Sequence, residues 1–311
     1  CAAKQAADEL LARERHGGFP SPHLLVTFGA TAAQVAEHLP QPGSPGRVAV
    51  FFETPYEPNG EQDMNEAVLK ACSGIVRQGV RTWSISRTHQ MVLSRAGVSA
   101  KRIDRIPPWR MGGTGHRPLP LHARGKTIVV PTRIAPRKGT AELITSLGPH
   151  RDLLRAWRTV ITGGVAARYD HYWREVDHAR KRLAGRIRLD MPQRPLPRNV
   201  LRHLLSTSRL AVIPSHGELL GLAAIEAVAF GALPIVPAVA GLVEAIDGGR
   251  HGIVAPYTND LSALGEWAAH LAEETRRSPA LARLADRLPS WHCAVSGREF
   301  GASVERSLAR S

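Results

Sequence analysis

One stretch restricts the fold of this chain more than any other. Leu210-Ala211-Val212-Ile213-Pro214 and Leu233-Pro234-Ile235-Val236 are short apolar runs of strand length. Between them lies Ser215–Gly231, rich in Ala, Leu and Ile and closed by a glycine. Such a unit reads as strand, loop, helix and strand, and a buried α/β layer is the structure that accommodates it. Two carboxylates interrupt the apolar setting, Glu218 and Glu226. The spacing predicts a helix starting near Leu220 or Gly221, with Glu218 in the loop before it and Glu226 more than a turn inside it.

That placement has chemical consequences. Open parallel sheets bind ligands where strand ends feed helix N-termini. The first amides of a helix lack internal acceptors and its dipole makes that end electropositive, so a phosphate fits there. A carboxylate on either side can accept hydrogen bonds from sugar hydroxyls. The alternative is two solvated glutamates at a chance spacing. Against it, a helix glutamate among so many apolar neighbours needs a partner.

The same alternation runs through most of the chain. Strands are expected at His23–Phe28, Arg47–Phe52, Thr82–Ser86 and Arg102–Ile106, and helices at Ala3–Arg15, Thr31–His38, Asn65–Gly79 and from Ser86 to Ala96. A Gly/Pro-rich stretch, Met111–Pro120, reads as a linker. Beyond it, strands are expected near 127–131, 158–162, 185–189 and 210–214, with helices near 140–147, 170–183 and 198–206. Trp291–Arg310 reads as a final helix.

Composition narrows the class. The hydrophobic fraction of 43% is that of a globular protein, and 311 residues suffice for two α/β domains. The formal net charge is +14, carried mostly by arginine, since only six lysines occur. The charge is spread rather than gathered in a block, so a nucleic-acid partner is not expected. It suits phosphorylated ligands or a membrane surface, and a composition bias toward Arg is the competing explanation. Cys1, Cys72 and Cys293 make neither a disulfide framework nor a zinc site. The expected location is cytoplasmic, with peripheral contact at the inner face of the membrane as the variant of that reading. The apolar stretch from Leu219 to Val243 is long enough to span a bilayer. It contains Glu226, Gly231, Pro234 and Pro237, and a buried α/β unit explains it better.

The E-x7-E passage resembles the signature of the retaining GT-B glycosyltransferases of glycosyltransferase family 4, the glycosyl transferases group 1. Glu218-Leu219-Leu220-Gly221-Leu222, then Glu226-Ala227-Val228-Ala229-Phe230-Gly231-Ala232-Leu233-Pro234-Ile235-Val236, stands for E-G-F-G-L-x-x-x-E-A-x-A-x-G-x-P-V-I. Thr132-Arg133-Ile134-Ala135-Pro136-Arg137-Lys138-Gly139 resembles the family's G-R-L-x-x-x-K-G. Ala240-Gly241-Leu242-Val243-Glu244-Ala245-Ile246 and Gly249–Val254 resemble G-G-x-x-E-x-I and G-x-x-G-x-L-V.

The resemblance implies two Rossmann-like parallel-sheet domains facing a cleft. Residues 1–112 would be the acceptor-side domain, 113–288 the nucleotide-sugar domain, and 289–311 a helix returning to the first. It implies transfer of a hexose-type unit from a nucleotide-diphosphate sugar to a hydroxyl acceptor with retained configuration. The acceptor would be a glycan, a lipid-linked molecule or a small molecule. Arg133 and Lys138 would hold the diphosphate, Glu218 the transferred sugar and Glu226 the ribose. Backbone amides at Leu220, Gly221 and Leu222 would complete the phosphate site. From its own position after a strand, Gly163-Gly164 is a candidate for close approach of the backbone to the donor, against an ordinary turn. A fork of guanidinium donors beside an ammonium is physically suited to a diphosphate. No Asp-x-Asp pair occurs, so neither a metal nor another cofactor is expected.

The chain also departs from the family. The histidine that many members carry after the second strand is replaced by Glu53-Thr54-Pro55-Tyr56. Glu53 is a candidate for the sugar side, against a solvated loop residue. The first strand, Leu24–Phe28, matches a middle strand of the family's first domain, so that domain is expected to be incomplete and the chain truncated at its N-terminus. Asp170-His171 and Asp177-His178 recur one heptad apart, and an exposed charged helix face is the expected role rather than a metal site. The alternatives to a transferase are another GT-B enzyme, an epimerase or a phosphorylase, and a non-catalytic domain that holds nucleotide sugar or polyanion.

Overall fold

In a computed structural model the strand segments assemble into two separate, wholly parallel sheets. The structure describes residues 24–28, 47–51, 81–95, 97–105, 119–165, 169–192, 194–275, 277–288 and 306. The chain divides into two compact units, Cys1–Arg110 with Val295–Ser311, and Met111–Ala294.

In the first unit β1 (Leu24–Phe28), β2 (Arg47–Phe51), β3 (Arg81–Ser84) and β4 (Ile103–Arg105) pair in sequence order. All four strands expected here are present within two residues. Helix α1 (Arg87–Arg95) follows β3. The helices expected at 3–15, 31–38, 65–79 and 291–310 lie outside the described residues, apart from the helical Arg306. Most of the 111–120 linker does so too.

Buried His89 of α1 links local geometry to stability. Its Nδ1 accepts the Ile85 amide at 3.3 Å, which requires that nitrogen to be unprotonated, while its own amide donates to Ser86 Oγ at 2.9 Å. Its Nε2 is buried without a partner among the described residues. Burial lowers its pKa from 6.5 to about 4. The unfolded chain therefore takes up a proton that the folded chain refuses. The contribution is complete above pH 6.5 and is lost as pH falls toward 4, about 2–3 kcal/mol by pH 4.5. Protection of the α1 amides against hydrogen exchange, corrected for intrinsic rates, should fall by that amount between pH 7 and 4.5. A His89→Gln variant should lack the His89 share of the slope, and an identical slope in both proteins would contradict the assignment.

The second unit is a doubly wound sheet. Its strands are β5 (Gly125–Val130), β6 (Arg158–Ile161), β7 (Arg188–Asp190), β8 (Ser208–Val212), β9 (Leu233–Pro237) and β10 (Ile253–Ala255). They are arranged β10-β9-β8-β5-β6-β7. Every residue of β8 and β9 is buried, as a parallel sheet covered on both faces demands.

The helices are α2 (Thr140–Leu147), α3 (Arg151–Leu154), α4 (Asp170–Leu183) and α5 (Arg198–Thr207). After these come α6 (Leu222–Phe230), α7 (Ala240–Ala245), α8 (Ser262–Glu274) and α9 (Pro279–Arg287). One set packs α2 against α4 and α8, and another packs α6 against α5 and α7.

Two strand expectations shift. The strand expected at 185–189 is β7 at Arg188–Asp190, because Gly185 adopts φ +74° and spends those residues on the turn out of α4. The strand expected at 210–214 ends at Val212. Proline has no amide to donate to a ladder, and Pro214 instead begins the loop that carries the site. The Leu219–Val243 stretch divides into loop, α6, β9 and α7. No described helix is long and apolar enough to cross a membrane.

Candidate functional site

The strand order of the second unit reverses between β5 and β8. From β5 the chain winds outward through β6 and β7, then crosses to β8 and winds the other way. The loops leaving the carboxyl ends of β5 and β8 lead to helices of different sets, which makes this the topological switch point of the sheet, where open parallel sheets bind ligands. Residues 131–139 follow β5, and 213–221 follow β8.

These two loops bring Lys138 and Glu218 into contact across eighty positions of sequence. Lys138 Nζ donates to Glu218 Oε1, and Ser215 Oγ donates to the same oxygen at 3.0 Å. The side chains of Lys138 and Glu218 retain only 14% and 15% of their exposure. Burial lowers the pKa of Lys138, Glu218 pushes it back up, and Arg137 and Arg133 lower it further. The carboxylate is thus oriented by two donors on one oxygen. Oε2 is left for a further donor.

Local geometry explains why the loops meet. Pro136–Lys138 forms a single 3-10 turn that ends at Gly139, with φ +61°. A Cβ at Gly139 would lie 2.1 Å from the carbonyl oxygen of Pro214, so only glycine lets the β5 loop pass so close to the β8 loop. His216 N donates to Arg137 O at 2.9 Å and ties the crossing from the other side. On the far flank a Cβ at Gly241 would meet the Glu218 carbonyl oxygen at 2.2 Å. The glycines of the second and third sequence blocks are therefore walls of the Glu218 loop.

Gly221, at φ +72°, caps α6 without a side chain, and its carbonyl accepts the amides of Ala224 and Ile225. The amides of Leu222 and Ala223 have no intrahelical acceptor and face the open end. Leu220 is buried, whereas Leu222 is 60% exposed at the helix mouth. Glu226 is the one charged residue of α6, and Arg198, first residue of the adjacent α5, pairs with it at 3.1 Å.

Arg133 is exposed on the β5 loop, next to the crossing with the β6 loop. There Ile134 bridges Val165 and donates to the Gly164 carbonyl at 3.1 Å. Gly163 is buried in that crossing, against the backbone of Thr132 and Arg133. The described part of the 193–197 loop lies beside it, with Leu196 N donating to Thr162 O at 3.1 Å. Glu53 lies outside the described residues. Asp177, on the charged face of α4, pairs with Arg180 at 2.7 Å and Lys181 at 2.6 Å. No group of three or more His, Cys, Asp or Glu among the described residues is placed to hold a metal ion.

Sequence reasoning missed Ser215 and Arg198. Ser215 stands three residues before Glu218, a spacing that a turn closes, and that was the available signal. Arg198 carries none, because its relation to Glu226 exists only through the packing of two helices.

Two wholly parallel sheets in two units are the fold of the GT-B glycosyltransferases, and solved structures of that fold match the chain. A trehalose-phosphate synthase (UDP-forming) from Burkholderia xenovorans, with glucose-6-phosphate bound, matches at TM-score 0.74 and 14% identity over 99% of this chain and 77% of its own. HepE from Anabaena, in complex with UDP, matches at 0.73 and 14% over 98% and 82%. The catalytic domain of starch synthase IV from Arabidopsis thaliana, bound to ADP and acarbose, matches at 0.68 and 12% over 99% and 77%. Within that fold, residues 125–274 match the family model described as Glycosyl transferases group 1, so the second unit carries a domain of that family. No curated protein matches the chain.

Proposed function

We propose that this protein transfers a sugar from a nucleotide-diphosphate sugar to a hydroxyl acceptor, with retained anomeric configuration and without a metal ion. The observation that carries this reading is the Lys138–Glu218 pair at the switch point, beside the open N-terminus of α6. The diphosphate takes the amides at Leu222 and Ala223 together with Lys138 and Arg133. Positive charge from these groups stabilises the departing nucleotide, the role that a divalent ion plays elsewhere. Glu218 Oε2 accepts from a hydroxyl of the transferred sugar. Glu226, steadied by Arg198, accepts from the ribose. Leu196 and its neighbours flank the base.

Glu218 is already engaged by Lys138 and Ser215, which suits a binding carboxylate better than a nucleophile. Retention then follows from attack on the face the nucleotide leaves. The acceptor oxygen bonds to the anomeric carbon as the carbon–oxygen bond to phosphate breaks, and the hydroxyl proton passes to the leaving phosphate. UDP- and ADP-bound relatives support a nucleotide-sugar donor, and a sugar or sugar-phosphate acceptor agrees with what those relatives hold.

The test is a thermal-shift screen against UDP-, GDP- and ADP-sugars. The matching donor at 100 times its Kd should add about 2.7 kcal/mol, a rise in Tm of about 5–10 °C for a unit of this size. Transfer from that donor should persist in EDTA and give a product of unchanged anomeric configuration by NMR. No shift with any nucleotide sugar refutes the donor. Loss of activity in EDTA refutes metal independence.

A further inference from the structure

Behind the contact of Lys138 with Glu218, two residues before Glu218 on the β8 loop, stands the side chain of His216. It is only 9% exposed. Its Nδ1 lies 3.1 Å from the hydroxyl of Tyr257, in the loop after β10, with the two rings edge to face at 6.0 Å. Its Nε2 lies 3.7 Å from Glu142 Oε1, on the first turn of α2. Glu142 is fixed in turn. Its Oε2 accepts from Tyr172 Oη at 2.7 Å, and that hydroxyl accepts the amide of Ala141 at 3.0 Å. The β8 loop, α2 and the β10 loop therefore meet at one imidazole, and α4 braces Glu142 behind it.

The backbone of His216 completes the link to the site. Its amide donates to Arg137 O, immediately before Lys138, and its chain continues through Gly217 to Glu218. Nothing in the family-like blocks calls for a histidine here. The strut of Tyr172, Glu142, His216 and Tyr257 lies with α2 and α4, in the helix set that does not include α6. It touches the proposed donor groups only through the two loops.

We propose that His216 is a positioning residue, which sets the distance between Lys138 and Glu218 and thereby the fit of the site to the sugar half of its donor. This rests on the donor reading given above. Of the groups proposed for the nucleotide half, only Lys138 adjoins the strut; Arg133, the amides of α6 and Glu226, with Arg198 beside it, are apart from it and keep most of that affinity. Loss of the strut therefore separates two affinities that a merely unstable protein would lose together. Nucleoside diphosphate binding is retained, and nucleotide-sugar binding is weakened.

The experiment compares wild type with His216→Ala and His216→Gln, the latter keeping a group that can bond both Tyr257 and Glu142. Calorimetric titration with the nucleoside diphosphate should give affinities within about twofold of wild type for both variants. With the nucleotide sugar, His216→Ala should bind about tenfold more weakly, about 1.4 kcal/mol, with a lower kcat, and His216→Gln should recover most of the loss.

A second arm needs no ligand. Lys138 is shielded by its contact with Glu218, so competitive acetylation of the full chain, read by peptide mass spectrometry, should modify it at least threefold faster in His216→Ala. Equal labelling in the two proteins overturns the positioning role. So does equal loss of both affinities, which marks general destabilisation. Faster labelling in a protein that binds no nucleotide sugar overturns the donor reading and leaves the strut in place.

Discussion

Lys138→Ala is expected to lower sugar transfer by about 10²–10³-fold while the protein remains folded, a loss typical of removing one donor to a developing oxyanion. The variant acts twice. It takes the ammonium from the phosphate, and it leaves Glu218 Oε1 with Ser215 Oγ as its remaining donor. The fall should be larger in kcat than in donor affinity, because Arg133 and the α6 amides still bind the diphosphate while the growing charge of the leaving group loses one of the cations that oppose it. Burial supplies a second signature. It lowers the pKa of Lys138, so the ammonium is lost earlier than in an ordinary lysine as pH rises. Donor affinity should decline on the alkaline side, and Lys138→Arg, whose guanidinium stays charged, should flatten that limb. Steady-state kinetics with the donor found by thermal shift decides the matter. Near-normal turnover in Lys138→Ala removes the residue from the mechanism.

Gly163→Ala is expected to be the most disruptive single-methyl change near the site. The added Cβ would lie 1.7 Å from the carbonyl oxygen of Thr132, 2.5 Å from its carbonyl carbon and 2.6 Å from the Cα of Arg133. All three are backbone atoms, so no side chain can swing aside. The β5 and β6 loops must separate, at a cost of about 3 kcal/mol, the upper end for overpacking. For a unit of this size that lowers Tm by about 6–12 °C. Arg133 moves with the loop, so donor affinity should fall alongside Tm. Calorimetric melting and donor titration of the purified variant test both statements. A variant with unchanged Tm would mean that the β5–β6 crossing is looser than this geometry allows.

These two residues differ in how they could be found. Lys138 was legible from a motif, and its partner Glu218 from another, because each block carries its own local pattern. That they form one ion pair was not legible. The expectation placed Lys138 on phosphate and Glu218 on sugar as separate contacts, and the fold joins them directly. Gly163 was read as a place where the backbone approaches a donor. The structure shows it allowing the backbone to approach backbone, which its position after a strand does not distinguish. Glu226 was expected to need a partner in its apolar helix; it is partly exposed and pairs with Arg198. The identity of Arg198 came only from the packing of α5 on α6.

Secondary structure followed the local patterns closely where composition changes sharply. Helix α4 occupies 170–183 and α2 occupies 140–147, as the apolar periodicity predicts. It failed by a few residues where one conformation overrides a run of apolar side chains, at the positive φ of Gly185 and at Pro214. His216 shows the limit in its strongest form. Its partners lie 74 residues upstream at Glu142 and 41 downstream at Tyr257, and no short-range signal relates them.

By itself, then, the sequence determined the parallel α/β layers, the identity of the charged groups and the helix end beside them. Each of these depends on interactions within a few residues, on side-chain periodicity, and on glycine or proline at a turn. The tertiary structure alone decided which charges touch, which glycines are walls, and which histidine braces the site. Those outcomes depend on the strand order β10-β9-β8-β5-β6-β7, which sets the β5 and β8 loops side by side at the switch point. Strand order is a property of the whole packed core, and no local segment encodes it.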